Sequence, residues 1–243
     1  MKKVAIILIV LIPAISFNSC QEDELDEPAN VELQINMIGP GNSGDPGKST
    51  RNENDPVKGM RFTKGMLSVE SIEFDGTREN AKNYFFTRSF QNGLIADLNN
   101  NELSEKVSFD IPQGSYYPAK ITLFLNTIDS LSGFELHGAY HSPNFEETAI
   151  EFDFFEGREP LEITIQNEQG NKKVLIKKNQ TKELKIQINI TAIFATFNPK
   201  RLENAEVSHQ GDNKKIIISK THNQELYYEI VNRIEKTTKA ILK

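Results

Sequence analysis

The sequence predicts a mainly β protein: an antiparallel β-sandwich with a C-terminal amphipathic helix. Apolar and polar residues alternate with a period of two in about ten segments between residues 31 and 194, as expected for half-buried strands. After residue 220 the apolar residues instead recur at helical spacing. The chain holds 15 Phe and 6 Tyr but no Trp, which suits a β-rich core and does not favour a Trp-based sugar platform.

The first strand is predicted at residues 31–38, where apolar and polar side chains alternate strictly. Residues 39–57 are rich in Gly, Pro, Asn, Ser and Asp and predict a long flexible loop. The strand pattern returns from Lys64, and Asp75-Gly76 predicts a turn. Further alternating segments follow at residues 107–111, 119–125, 134–140, 150–154, 161–165 and 184–190.

The last third of the chain changes character. The alternation of 184–190 is predicted to run on towards Phe194, and Asn198-Pro199 predicts a short helical turn, with Asn as the cap and Pro at the first position. A brief strand at 216–218 precedes an amphipathic helix at 223–240, opened by a capping box at 221–224. We expect this helix to dock on the sandwich; the alternative is that it engages a partner or lipid.

The chain has one cysteine, Cys20, and it follows a short segment that resembles an export signal. Met1-Lys2-Lys3 supplies a positive start, and residues 4–12 form an apolar run, the order of an export signal. The run is too short for a membrane-spanning helix, which needs about 20 apolar residues. The predicted organisation is a signal at 1–19, an acidic tether at 20–30, a sandwich at 31–197 containing loop 39–57, and a C-terminal strand and helix at 198–243.

Phe17-Asn18-Ser19-Cys20 resembles the lipobox of bacterial lipoproteins. The resemblance implies cleavage before Cys20 and lipid on its thiol, with acyl chains such as palmitate. Phe17 and Asn18 depart from the usual Leu, Val or Ile and the usual small residue, but such boxes look like those of Bacteroidetes-type lipoproteins. Residues 21–27 hold five acidic side chains and resemble the acidic signal that sends these lipoproteins to the outer face of the outer membrane. The simpler interpretation is a solvated tether.

The charge is unevenly distributed, although the net charge is only −6. Residues 171–243 hold 15 basic and 7 acidic side chains, against 13 and 27 in residues 1–170. A basic third of a chain is compatible with nucleic-acid binding. The export signal argues against that partner, and lysines spread along strands and a helix are typical of a solvated surface. We therefore expect no nucleic-acid partner.

Few residues point to chemistry. His137 and His141 are weak metal candidates, because positions four apart on a strand lie about 13 Å apart; Gly138 between them would allow a bend. Glu151 and Asp153 alternate with apolar residues, which predicts that they lie on the solvent-exposed face of a strand. The sequence shows no nucleophile elbow, phosphate loop or metal triad. We expect a protein that is not an enzyme and that has no cofactor.

Asp129-Ser130-Leu131 resembles the acceptor used for O-glycosylation of exported Bacteroidetes-type proteins. The resemblance makes Ser130 a candidate modification site. Its position between two predicted strands is that of an accessible loop.

The strand at 62–74, followed by a Pro-x-Gly-x-Tyr piece at 112–116, looks like uncharacterised Bacteroidetes-type lipoproteins with a transthyretin- or immunoglobulin-like sandwich. The end of the chain, 216–234, is also similar to theirs. The resemblance implies no catalytic residues. It favours a surface-anchored, non-catalytic module that binds a glycan or protein through loops at one end. The alternative is a periplasm-facing accessory protein that handles a metal through His137 and His141, or another ligand.

Overall fold

The computed structural model describes residues 27–39, 59–128, 131–142, 145–155, 158–210 and 213–243. Of these residues, 62% are in strands and 13% in helices, so the mainly β prediction is confirmed. The described strands are β1 (Pro28–Ile38), β2 (Met60–Arg78), β3 (Tyr84–Asp97), β4 (Glu102–Leu103), β5 (Ser108–Pro112), β6 (Gly114–Leu125), β7 (Phe134–Ser142), β8 (Phe145–Phe154), β9 (Glu159–Asn167), β10 (Val174–Ile176), β11 (Thr181–Asn189), β12 (Val207–Gln210), β13 (Asn213–Ile218) and β14 (Lys239–Leu242). The helices are α1 (Ile190–Phe194), a 3₁₀ turn at Pro199–Asn204 and α2 (Gln224–Thr237).

The strands form one mixed sheet that curls into a half-barrel, so the predicted antiparallel arrangement is corrected and the sheet is not clearly a sandwich. The sheet runs β12-β13-β8-β7-β2-β6-β9-β14-β11-β1-β5, with β3 paired to β2, β4 paired to β3 and β10 paired to β6. Three neighbouring pairs are parallel: β1 with β11, β8 with β13, and β9 with β14. Alternation of side chains records which face of a strand is buried, but it carries no information on the direction of the neighbouring strand.

Strand β2 joins the two parts of this sheet. Its first half, Met60 to Leu67, pairs with β7, and its second half, Val69 to Arg78, pairs with β6. The register shifts between Val69 and Ser71, where the strand changes partner. A register irregularity of this kind bends a strand and increases its twist, which allows one strand to serve both parts of the sheet.

The curled sheet nearly closes on itself between β3 and β5, through side chains instead of a backbone ladder. Arg88 donates a hydrogen bond of 2.7 Å to the carbonyl of Ser108, and the Tyr84 hydroxyl donates one of 3.1 Å to the carbonyl of Asp110. The rings of Phe86 and Phe109 pack with centroids 4.9 Å apart. We call this line between β3–β4 and β1–β5 the seam.

The strand predicted to run on to Phe194 ends earlier, at Asn189. The side chain of Asn189 accepts a hydrogen bond of 2.9 Å from the backbone N–H of Ala192, and α1 begins there. Asn is a favoured residue at this capping position. The apolar side chains that continue the pattern, Ile190, Ile193 and Phe194, are buried by the helix.

The predicted helix near the C-terminus is present as α2, but its predicted capping box is wrong. Asn223 precedes the helix in the left-handed conformation and makes no side-chain cap. Its side chain instead bonds Glu206 and Ile217, tying the start of α2 to β12 and β13. The helix ends at Thr237, and the last apolar residues form β14, between β9 and β11.

The apolar positions of the strands share one core with the helices. Tyr227 of α2 contacts Phe154 of β8 with ring centroids 5.8 Å apart, and Phe194 of α1 contacts Phe62 of β2 at 5.1 Å. The helices therefore cover apolar surface that the half-barrel leaves open. Across the described ranges, no helix combines the length and the apolar character that a bilayer crossing needs.

Replacement of Phe152 by Ala should lower the free energy of unfolding by about 3–5 kcal/mol. Its ring is fully buried and lies 5.4–5.8 Å from the rings of Phe62, Phe154 and Phe194. Urea unfolding measures the change. The matched control is Phe85→Ala, since Phe85 is 60% exposed and its loss should change stability by no more than about 0.5 kcal/mol. Equal losses in the two variants would contradict this description of the core.

Candidate functional site

Two of the residues singled out from the sequence, Cys20 and Ser130, lie outside the described residues. Almost all of the predicted loop 39–57 and of the acidic segment 21–27 also lies outside them. Lipidation of Cys20 and glycosylation of Ser130 therefore stay predictions.

The two candidate metal residues lie on β7, and the structure does not bring them together in one site. His137 is half-buried and its Nε2 lies 3.2 Å from Oε2 of Glu135. His141 is exposed, and its backbone N–H donates to the carbonyl of Gly59 at 2.8 Å. Within the described part of the chain, no three His, Cys, Asp or Glu side chains are grouped so that they could hold a metal ion.

Glu135 is a buried carboxylate with several partners. Burial acts to raise the pKa of Glu135, but hydrogen bonds from His137 and from the backbone N–H of Ser132, together with the charge of Lys64, leave it below its ordinary value. The Ser132 bond is 2.8 Å long, and Lys64 Nζ lies 3.6 Å away. A paired, buried carboxylate of this kind holds the start of β7 to β2, and the environment of His137 is accounted for by this structural role.

The larger of the two clefts described lies along the seam and has a volume of about 410 Å³. This seam cleft is walled on one side by β1 and on the other by β4 and the connection that leads into β5. That volume lies within the range of ligand sites in proteins, roughly 300–1,000 Å³. Its lining residues are Glu32, Leu33, Gln34, Asn36, Asn101, Leu103, Glu105, Lys106, Val107 and Ser108.

The seam cleft exists because β1 continues beyond its neighbour. The ladder between β1 and β5 ends at Glu32, and one further bond of 2.9 Å joins the N–H of Leu33 to the carbonyl of Val107. On its other side β1 remains paired with β11 as far as Ile38. Gln34 and Asn36 therefore have β11 on one side of their strand and line the cleft on the other.

Several described residues have a buried side-chain oxygen, and among them Asn36 lines the seam cleft. Its side-chain oxygen is buried and has no hydrogen-bond partner within the described structure. A buried acceptor without a donor costs about 1–3 kcal/mol, so native proteins rarely keep one without a reason. A ligand that donates a hydrogen bond to this oxygen would remove that cost.

A second cleft, of about 390 Å³, lies beside the position where β2 changes partner. Here Phe90, Gln91, Asn92 and Gly93 of β3 stand opposite the single residue Glu70 of β2. We call this the bulge cleft; its lining residues are Glu70, Phe90, Gln91, Asn92, Gly93, Thr127 and Ile128.

The wall of the bulge cleft is fixed by local contacts. Gly93 has a φ of +72°, and a Cβ there would lie 2.2 Å from Cδ1 of Ile128, so only glycine fits. Glu70 is held by Nδ2 of Asn126 at 3.0 Å and by Nε of Arg158 at 3.4 Å. Its carboxylate is therefore already engaged, whereas the Asn36 oxygen in the wall of the seam cleft has no partner among the described residues.

Sequence reasoning missed both clefts, for different reasons. Asn92-Gly93 is a turn pair inside a strand-like segment, and that signal was available for the bulge. The walls of the seam cleft come from residues 32–36 and 101–108, about 70 positions apart, and no local pattern connects them.

Comparison with known proteins finds no relative of this chain. No protein-family model, no curated protein and no solved structure matches it.

Replacement of Glu135 by Gln should lower the free energy of unfolding at neutral pH by about 1–3 kcal/mol. The pKa of Glu135 is lowered in the folded protein, so its contribution is full above the pKa of an unfolded Glu and is lost as the pH falls through the folded value. The difference between parent and variant should therefore shrink below about pH 4. Denaturant unfolding at several pH values measures it.

The matched control is Glu147→Gln. Glu147 pairs with Arg61 at 3.5 Å, and both side chains are largely exposed. Such pairs contribute little, so this change should stay within about 0.5 kcal/mol. A Glu135→Gln effect that did not depend on pH would mean that shape, and not the carboxylate charge, matters at this site.

Proposed function

We propose that this chain is a membrane-anchored surface lipoprotein whose folded domain is a non-catalytic binding module, with a neutral glycan bound in the seam cleft. The observation that carries the binding proposal is the buried, unpartnered oxygen of Asn36 in the wall of that cleft. The kinship with Bacteroidetes-type lipoproteins, and their sandwich architecture, is part of the same proposal.

The anchor is supported by the N-terminal sequence. The chain contains one cysteine, Cys20, and it follows an apolar run and a lipobox-like stretch. Each buried methylene group contributes about 0.8 kcal/mol to membrane attachment, and two acyl chains hold a protein stably where one does not. Lipid on Cys20 would therefore keep the domain at the membrane, and the acidic segment 21–27 supports transfer to the outer surface.

The glycan proposal follows from the hydrogen-bonding groups of the seam cleft. Gln34, Asn36 and Asn101 supply primary amides, which both donate and accept hydrogen bonds, as sugar hydroxyls do. Leu33 and Val107 also line the cleft, although both are almost fully buried in the core. The charged lining residues are two carboxylates, Glu32 and Glu105, and one ammonium group, Lys106. The net negative charge of the lining disfavours acidic sugars.

The binding proposal is tested on the unlipidated mature chain, residues 20–243 with Cys20→Ser, which retains every described residue. On an array of neutral and acidic glycans, we expect binding to a neutral set. The double variant Gln34→Ala, Asn36→Ala should then weaken binding of the best glycan at least tenfold in calorimetric titration, because two hydrogen bonds of about 1 kcal/mol each are lost.

The matched control for this loss is the double variant Gln91→Ala, Asn92→Ala in the bulge cleft, which should bind as the parent does. Asn36→Ala alone should leave the free energy of unfolding within about 0.5 kcal/mol of the parent or raise it, because its oxygen has no partner to lose. Loss of binding in the bulge-cleft variant alone would place the ligand there. Absence of any bound glycan would refute the glycan proposal.

The anchor has its own test in cells. The Cys20→Ala protein should no longer partition with membranes after a carbonate wash, whereas the parent should. Treatment of intact cells with a protease that does not cross the outer membrane should digest the parent and spare a periplasmic control protein. Protection of the parent would place the domain on the inner side and remove the surface part of the proposal.

A further inference from the structure

The described chain begins at one end of the sheet, and several segments distant in sequence meet there. The N–H of Gln113 donates to the carbonyl of Glu27 at 2.9 Å, and Asn30 pairs with Thr181 at the start of β11. Strand β10 pairs with the start of β6 at the same end, Ile176 opposite Gly114. We call this the tether end, since the predicted tether joins the sheet here.

Five lysines fall within eleven residues at the tether end: Lys172, Lys173, Lys177, Lys178 and Lys182. The sequence alone presents them as part of a dispersed basic third of the chain. The fold gathers them, because β10 is a three-residue strand and its flanking turns lie beside the starts of β1, β6 and β11.

Only some of these lysines are neutralised. Lys173 pairs with Glu79 at 2.8 Å, and Lys178 pairs with Glu27 at 3.2 Å. Within the described ranges, Lys172, Lys177 and Lys182 have no carboxylate at ion-pair distance. Lys172 and Lys177 are exposed and Lys182 is half-buried at the start of β11, so an anionic partner would meet these ammonium groups without having to displace a carboxylate.

Apolar side chains are exposed at the same end of the sheet, in β6 and β10. Leu175, in the middle of β10, and Tyr117, in β6, are each 56% exposed. Leu175 stands opposite Ser115 in the ladder, and Ser115 and Tyr117 lie two residues apart, so the two exposed side chains share one face. A surface with lysines around an exposed Leu and a Tyr is typical of protein that contacts the headgroup region of a bilayer.

The position of this surface also fits a bilayer. Glu27 is seven positions after Cys20, and a fully extended chain of seven residue steps spans at most about 25 Å. If Cys20 carries lipid, the tether end is held within that distance of the membrane. Such confinement makes even weak contacts effective, because binding becomes intramolecular.

We propose that the tether end is a second membrane-contact surface, which binds anionic phospholipid headgroups through Lys172, Lys177 and Lys182 and seats Leu175 and Tyr117 at the interface. The proposal rests on the proposed lipid anchor, because the anchor is what would hold the tether end close to a membrane in the cell. Binding of the tether end to anionic vesicles does not require the anchor. Carboxylates of this chain could compete with lipid headgroups for the lysines. Pairing of that kind would still leave Leu175 and Tyr117 exposed to water, whereas a bilayer would cover them.

The test uses the unlipidated mature chain, residues 20–243 with Cys20→Ser, so that lipid on the protein plays no part. Vesicles of phosphatidylcholine with about one third phosphatidylglycerol should carry the protein upward in a flotation gradient, and vesicles of pure phosphatidylcholine should not. Binding should fall steeply at about 0.5 M salt, where charge interactions are screened beyond a few ångströms.

The triple variant Lys172→Gln, Lys177→Gln, Lys182→Gln should lower partitioning onto the anionic vesicles by at least about twentyfold, since each lysine near the surface is expected to contribute about fivefold. The matched control removes the same charge elsewhere: Lys200→Gln, Lys236→Gln, Lys239→Gln, three exposed lysines away from the tether end. This control should bind within about twofold of the parent. Leu175→Ser should weaken binding at both low and high salt.

Three results would overturn the proposal: no flotation of the parent with anionic vesicles, equal loss in the two triple variants, or no effect of Leu175→Ser. If the parent bound only after the acids of 21–27 were neutralised, the lysines would serve that segment and not the bilayer. The lipid anchor is tested separately by Cys20→Ala in cells, so failure of one proposal does not decide the other.

Discussion

The pairing of β2 first with β7 and then with β6, while β3 lies along its other side, is the constraint on which the rest of the structure depends. Val69 and the residues after it follow β6, and Leu67 and the residues before it follow β7. Because both halves belong to one continuous strand, the two parts of the sheet are fixed relative to each other by covalent bonds. The bulge cleft lies at the change of partner, and the seam forms where the curled sheet meets itself.

The sequence predicted which side chains are buried much better than which strands are neighbours. Leu184, Ile186 and Ile188 alternate and are buried as expected. The same pattern could not predict that β11 lies parallel to β1, because side chains alternate in the same way in parallel and in antiparallel strands. Asn189 could be recognised as a helix cap only once the strand was known to end there.

Two glycines show why a turn cannot be predicted from composition alone. Asp75-Gly76 has the composition of a turn, yet both residues lie inside β2. A Cβ on Gly76 would lie 2.5 Å from the ring of Tyr116, so glycine is required there by close packing and not by a turn. Gly93 is the reverse case, since its φ of +72° strongly favours glycine, within a segment whose sequence otherwise predicts a strand. The candidate site, made of groups far apart in sequence, was beyond such reasoning.

The closure of the seam by side chains has a mechanical consequence. A backbone ladder resists separation through many bonds acting together, whereas here two hydrogen bonds and one ring pair hold β3 to β5. This line should therefore be easier to separate than a hydrogen-bonded strand pair, and the seam cleft continues it. A ligand bound to β1 and to the segment before β5 would act as a crosslink across the line, so occupancy and stiffness of the domain would rise together.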